Sequence, residues 1–391
     1  MLSARTSYLR VRHGHARVTY VELFFDLVFV FAVTQLSHGL LEHLTLLGAV
    51  ETAVLMLAVW WAWIDNAWIT NWLDPERAPV RLLLFVLMLL GLMIAAAIPK
   101  AFEARGLAFA LAYGAFEIIP KPFMLWVLKR HDPRNHRNFL RITIWRAAGA
   151  ACWIAGGFVA GEARLAVWLL ALAIDTTAPL VGFHVPGLGR STTADWTVEG
   201  GHMAERCALF VIIALGESIL ITGATFAGLP WTGITLAAFA NGFAASVAMW
   251  VIYFNIGAER AGQAFAASAD PGRIARAGYT YLHIPIVAGI IVAAVADELV
   301  LTHPLGHTSR ATAAVILVGP ALYLAGNAAF KRLSARNLPL SHSVGLALLA
   351  ALIPASPYLA PLALSAATTA VLILVGVWEW LSLGRAAARR K

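Results

Sequence analysis

The stretch Arg17 to Leu40, RVTYVELFFDLVFVFAVTQLSHGL, decides the fold class. It is an apolar run long enough to cross a bilayer, yet Glu22 and Asp26 sit inside it four residues apart. On a helix that spacing puts both carboxylates on one face. An intramembrane Asp costs roughly 2.5–3.5 kcal/mol at the centre of a span, whereas each Leu, Phe or Val returns about 0.3–0.6 kcal/mol. The ten such residues between Leu23 and Leu36 just suffice to insert the helix. The acids are therefore expected to face protein or water, not lipid.

The remainder of the chain has the same character. Of 391 residues, 60% are hydrophobic and 13% charged, and the mean hydropathy is +0.75. A soluble domain carries about 25% charged residues, so the expected class is an all-α, polytopic membrane protein. Twelve spans are expected, at about 20–41, 46–70, 80–99, 106–128, 142–160, 163–184, 201–224, 232–256, 278–301, 309–330, 340–356 and 358–383. The eleventh is short and ends in proline, which leaves eleven as the fallback count.

Charge distribution tests the count independently, because short cytoplasmic loops hold the Lys and Arg. With the N-terminus inside, the inner segments carry 22 basic residues and the outer loops four, Lys100, Arg105, Arg164 and Arg310. Only Lys121, Arg146 and Arg206 remain within spans. Both termini are thus expected in the cytoplasm. Topology accounts for the net charge of +8, and no nucleic acid partner is implied. The basic blocks at 129–141 and 385–391 are expected to attract anionic lipid headgroups. Cys152 and Cys207 fall in spans and suggest no disulfide framework. The first apolar run is too long for a cleavable signal and reads as an uncleaved span.

Self-comparison suggests a duplication. Glu22 opens the first span and Glu205 the seventh, each followed by an aliphatic and aromatic run. The second span ends in Trp60-x-x-Trp63-Ile-Asp65, and the eighth in Trp250-x-x-Tyr253-Phe-Asn255. Spans four and ten leave the membrane through Lys129-Arg130 and Lys331-Arg332. The expected organisation is a basic segment 1–19, two parallel six-helix repeats at 20–184 and 185–383, and a basic tail 384–391. In transporters such repeats place a pathway at their interface.

Four segments in chain order carry a family resemblance: Glu22–Ser37 (ELFFDLVFVFAVTQLS), Glu205–Leu220 (ERCALFVIIALGESIL), Tyr281–Ala296 (YLHIPIVAGIIVAAVA) and Gly319–Lys331 (GPALYLAGNAAFK). They resemble the signature segments of the bacterial low temperature requirement A family, LtrA. The resemblance implies a polytopic inner-membrane protein of a family named for a cold-growth phenotype, and brings no catalytic residues with it. A shorter likeness, over about a dozen residues from Phe24, is similar to the F-S-D first-helix motif of potassium channels built from six-span repeats. This chain has Phe25 where that motif has Ser, and Leu209 where a second Asp stands.

The intramembrane acids are the candidate sites, since such residues mark ion paths and proton relays. Glu22, Asp26 and Asp65 are expected at similar depth near the cytoplasmic side. The second half matches them with His202, Glu205, Arg206 and Asn255. Glu217, in LGESIL, and His283 lie deeper. The structural alternative is that Glu22 and Glu205 cap helix starts and pair with Arg17, Arg206 or Arg146, a favourable placement on dipole grounds alone. Glu117 and Lys121 have the i,i+4 spacing of an internal ion pair, and Asp175 is a further structural candidate. The Trp60–Trp72 cluster reads as interfacial anchoring. Gly156-Gly157 and Gly242–Ala245 read as close helix contacts. Prolines 99, 120, 122, 179, 285 and 320 fall in or beside spans and can free carbonyls for ion coordination where they line a cavity.

Enzyme signatures are absent. There is no G-x-x-x-x-G-K-[ST] loop and no cysteine pair at metal spacing. His38-x-x-x-Glu42-His43 matches neither metalloprotease pattern, and Gly216-Glu217-Ser218 lacks the second glycine of a nucleophile elbow. No cofactor or metal is expected. The sequence favours a secondary transporter or ion-conducting protein that moves protons or a monovalent cation. The alternative is a non-transporting membrane scaffold or assembly factor supporting growth in the cold.

Overall fold

The first helix begins at Thr19 because two side chains there satisfy each other's backbone. The Thr19 hydroxyl accepts from the Glu22 N–H, and the Glu22 carboxylate accepts from the Thr19 N–H at 2.9 Å, a reciprocal capping box. From this start α1 (Tyr20–Glu42) buries Phe25, Asp26, Phe29, Val33 and Leu36 along one stripe. Phe24, Leu27 and Phe31 point outward, as lipid contacts require. Glu22 and Asp26 are both 0% exposed, so the acids face protein.

The computed structural model describes residues 8–10, 17–192, 199–254, 272, 275–335 and 338–388. Among these there is no strand, only isolated bridges joining Leu9 to Leu73 and Val185 to Gly189. The chain divides into two units.

The first unit runs to Arg206 and includes Ala275 and Arg276. After α1 come α2 (Leu46–Trp72), α3 (Ala78–Ala97), α4 (Gly106–Ile118), α5 (Pro120–His131), α6 (Pro133–Gly157), α7 (Gly161–Thr177) and the opening turns of α8 (Gly200–Ala227). In this unit α1 packs on α2 and α3, α3 on α4, and α6 on α4, α5 and α7. Ile119 keeps helical dihedrals of −54° and −40° between α4 and α5. Pro120 stands at the first position of α5, where its missing N–H costs little, so α4 and α5 make one span, Gly106–His131. The expected small-residue contact at Gly156-Gly157 is present. A Cβ on Gly156 would lie 2.4 Å from the Trp168 ring, and one on Gly157 2.9 Å from the Ala110 methyl.

The second unit holds α8 from Cys207 onward, α9 (Gly233–Phe254), a π-helical stretch ending at Tyr281, α10 (His283–Thr302), α11 (Arg310–Ala335), α12 (Leu340–Leu352) and α13 (Pro361–Ala388). Its tightest contact is α10 against α11. A Cβ on Gly289 would sit 2.6 Å from the Tyr323 nitrogen and 2.8 Å from the Gly319 carbonyl oxygen, so only glycine admits this backbone approach.

Nine helical stretches among the described residues are long and apolar enough to cross a membrane. They coincide with nine of the twelve expected spans, and α6, α7 and α12 occupy the other three positions. The chain is a multi-span helical membrane protein. With 13 residues, α12 rises about 20 Å, short of a hydrocarbon core of about 30 Å.

Several local expectations are corrected. The polar connection expected at 129–141 is helical: α5 continues to His131, and Asp132 caps α6 by accepting from the Asn135 N–H at 3.2 Å. Within it Arg141 is buried, donating to the Leu188 carbonyl and the Asn138 side chain. The other two expected connections, 185–200 and 257–277, fall partly or largely outside the described residues, as does Asn255. Trp60, Trp61, Trp63 and Trp72 are not interfacial anchors but core residues, 0–5% exposed. Their indoles face the polar groups and aromatic rings of the first unit. Lys331 is buried against Glu379, two residues before the end of the candidate span Arg310–Leu333.

Substituting Gly289→Val is expected to cost about 1–3 kcal/mol through overpacking, read as a lower thermal unfolding midpoint in detergent. Gly223, with nothing within 4 Å of a built Cβ, is the control. Gly223→Ala is expected to leave the midpoint unchanged or raise it slightly.

Candidate functional site

Two clusters of charged side chains lie inside the first unit, on opposite faces of α2. Trp63 faces one and Asp65 the other, since helical residues two positions apart are turned by about 200°.

The first cluster is organised by Arg206, on the opening turns of α8. Its guanidinium contacts Asp26 Oδ1 at 2.6 Å and Glu22 Oε1 at 3.3 Å, and all three side chains are 0% exposed. The Trp63 indole N–H also donates to Asp26 Oδ1, at 2.8 Å. On its other side Glu22 pairs with Arg10 at 2.8 Å. Two carboxylates thus meet two guanidinium groups, and the cluster is balanced.

His202 completes this cluster in a defined tautomer. Asn71 Oδ1 accepts from the Glu199 N–H while its Nδ2 donates to the Glu199 carbonyl, which fixes the amide orientation. The same Nδ2 lies 3.2 Å from His202 Nδ1, so Nδ1 accepts and Nε2 carries the proton that reaches Glu22 Oε1 at 2.8 Å. Glu205 accepts the Val18 N–H at 3.1 Å just ahead of α1.

The second cluster is organised by Arg146 on α6. Each guanidinium nitrogen reaches a different carboxylate on a different helix: Nη1 to Asp175 at 3.1 Å, Nη2 to Asp65 at 3.4 Å and Nε to Glu117 at 3.4 Å. Lys121 pairs with Asp65. The Trp153 indole donates to Asp175 Oδ2 at 3.0 Å, and the Arg146 guanidinium lies 5.6 Å from the Trp61 ring centroid. Three carboxylates meet two cations. Neither oxygen of Glu117 has a hydrogen-bond partner, although its side chain is 1% exposed.

The expected grouping is therefore redrawn. Asp65 does not join Glu22 and Asp26 in a ring but belongs to the Arg146 cluster. Glu117 pairs with Arg146 and not with Lys121, which turns to α2 and takes Asp65. His202 and Arg206 do meet the acids of α1.

In the second unit Glu217 is buried on α8 at 6% exposure. Both ring nitrogens of His283 are engaged, Nε2 with the Tyr253 hydroxyl at 2.8 Å and Nδ1 with the Gly278 carbonyl at 2.9 Å. Here the structure adds residues that sequence reading passed over. Lys331 Nζ contacts Glu379 Oε2 at 2.7 Å and the Ile252 carbonyl at 2.8 Å, and His342 lies 3.3 Å from Glu379 Oε1. Asp297 is buried on α10. An acid within an apolar run, the signal that marks Asp26, marks Asp297 equally in VAAVADELV. Both cysteines are free thiols.

Removing Arg206 leaves Asp26 without a cation, while Glu22 keeps Arg10 and His202. Arg206→Met is expected to cost about 3–5 kcal/mol, seen as loss of the monodisperse peak in detergent size exclusion. Adding Asp26→Asn to that variant is expected to recover part of the loss.

No solved structure matches the chain. It is 41% identical over 385 residues to the uncharacterized protein RA0937 of Rhizobium meliloti (strain 1021), an alignment covering 98% of this chain and 94% of that one. The bacterial low temperature requirement A protein family matches residues 17–377, from the segment before α1 into α13. With nearly the whole chain covered, the protein belongs to the LtrA family.

Proposed function

We propose that this protein is a secondary transporter or ion-conducting protein of the bacterial inner membrane that moves protons, and that the Arg146 cluster holds the proton in transit. One observation carries the reading: three carboxylates, Asp65, Glu117 and Asp175, share only Arg146 and Lys121 as cations. Uncompensated charge is expensive in an apolar interior, so the balanced form of the cluster carries one proton. Glu117 is the group that holds it, because Asp65 accepts from Lys121, Asp175 accepts from Arg146 and Trp153, and Glu117 oxygens accept no hydrogen bond. Losing that proton leaves a net negative site that a second proton or a monovalent cation can neutralise.

Orientation follows from charge. The 22 basic residues assigned to one side against four on the other favour cytoplasmic termini. A pocket of about 250 Å³ lined by Arg134, Arg137, Arg141 and Arg190 supports contact with anionic lipid headgroups.

A scaffold reading has its own supporting observation. Glu22 caps α1 and is held by Arg10, His202 and Arg206 together, which is how a purely structural lock would look. Proteoliposomes with an internal pH-sensitive dye separate the two. Under a proton gradient, wild type is expected to acidify or alkalinise the lumen, and Glu117→Gln to fall to the level of protein-free liposomes while eluting as wild type does. Flux retained in Glu117→Gln removes the Arg146 cluster from the path. No flux in folded wild type favours the scaffold.

A further inference from the structure

Asp297 is a buried acid of the second unit. It lies near the C-terminal end of α10 at 6% exposure, and its Oδ2 has no hydrogen-bond partner. Among the described residues no Lys, Arg or His forms an ion pair with it. Every other buried carboxylate pair or cluster described above has a guanidinium, an ammonium or an imidazole against it. A lone carboxylate in apolar surroundings is costly unless something positive sits beside it.

The cavity beside it is lined by apolar side chains and by three hydroxyl-bearing ones. Asp297 faces a cavity of about 20 Å³ shared with Ser365, Thr368 and Thr369 of α13 and with Ile316 and Pro320 of α11. The Thr369 hydroxyl is buried and has no partner. Thr368 donates its proton to the Ser365 carbonyl at 2.9 Å, leaving its lone pairs available. Ser365 Oγ accepts from Asn241 Nδ2 at 2.8 Å and keeps a second lone pair. Pro320 lies inside α11 and has no N–H to give the Ile316 carbonyl four residues earlier, so that oxygen is released from the helix ladder. On the remaining side α9 closes in through Gly242, where a Cβ would stand 3.2 and 3.3 Å from the two carboxylate oxygens.

We propose that Asp297 is the anionic ligand of a sodium-sized monovalent cation site in the second unit. Thr369, Thr368 and Ser365 hydroxyls and the Ile316 carbonyl are its neutral ligands. The size fits, because a cavity of about 10–15 Å³ already admits one water-sized occupant. The ligand chemistry fits, since hard oxygen donors select hard cations. The charge fits a single positive ion: one carboxylate neutralises Na⁺, whereas a divalent ion would leave a buried net charge, and Mg²⁺ keeps several waters for which there is no room. The site concerns binding and stands whether or not the Arg146 cluster conducts protons.

The test is the thermal unfolding midpoint of the purified full-length protein in detergent, at fixed pH, with NaCl exchanged for choline chloride at constant ionic strength. A ligand that binds only the folded state raises the midpoint with its concentration. Wild type is expected to rise with Na⁺ and not with choline. Asp297→Asn is expected to lose the Na⁺-dependent rise altogether. Thr369→Ala is expected to need about tenfold more Na⁺ for the same shift. A wild-type Na⁺ response in folded Asp297→Asn overturns the proposal, as does a wild type whose midpoint is the same in NaCl and choline chloride. Should Asp297→Asn fail to fold, Thr369→Ala decides, and an unchanged Na⁺ response there overturns the site.

Discussion

The neutralisation of buried carboxylates by two arginines is the constraint on which the first unit depends. A guanidinium presents several N–H donors in a planar fork, and both arginines use that geometry to join helices rather than to answer a single acid. Arg206 brings the opening turns of α8 to Glu22 and Asp26 of α1. Arg146, on α6, ties α2, α4 and α7 through Asp65, Glu117 and Asp175. An ammonium on a flexible stem has no such fork. In a low-dielectric interior, breaking one of these contacts costs more than forming it gains, because the partner left behind is a charge without water.

Packing around the clusters follows from the need to bring charge close. A Cβ on Gly149 would lie 2.5 Å from Asp175 Oδ1, so the absence of a side chain there lets α7 deliver its carboxylate to α6. Tryptophans fill the space beside the charges and supply donors, Trp63 to Asp26 and Trp153 to Asp175. An indole suits that position because it is mostly apolar and donates only one hydrogen bond. In the second unit Asp297 instead borders a small cavity that it shares with Ser365, Thr368 and Thr369.

Much of this was legible in the residues. Apolar run length placed the spans, and the acids of α1 announced themselves because Glu22 and Asp26 stand in a stretch otherwise fit for lipid. Arg146, Arg206 and Lys121 stood out for the same reason, as the basic residues that topology could not assign to a loop. Partner choice was legible for Glu22, which caps α1 and meets Arg206 as its position suggested, but not for Glu117. The i,i+4 spacing of Glu117 and Lys121 is a local signal, and tertiary neighbours outcompeted it: Arg146 arrives from α6 and Asp65 from α2. Depth along the chain suggested that Asp65 would join Glu22 and Asp26, but the facing of α2 turns it the other way. The tryptophans misled because aromatic clustering near a span end has two physical causes, anchoring and burial, and sequence does not separate them. Asp297 carried the same signal as Asp26, an acid within an apolar run.

The central claim is that the Arg146 cluster holds one proton, on Glu117, because three carboxylates face two cations. Infrared difference spectroscopy of the purified protein at neutral pH tests this without any transport assay. The account predicts a protonated-carboxyl stretching band that shifts on exchange into D₂O and is missing from Glu117→Gln of wild-type elution profile. A spectrum with no protonated carboxyl, or a band that persists unchanged in Glu117→Gln, would contradict it.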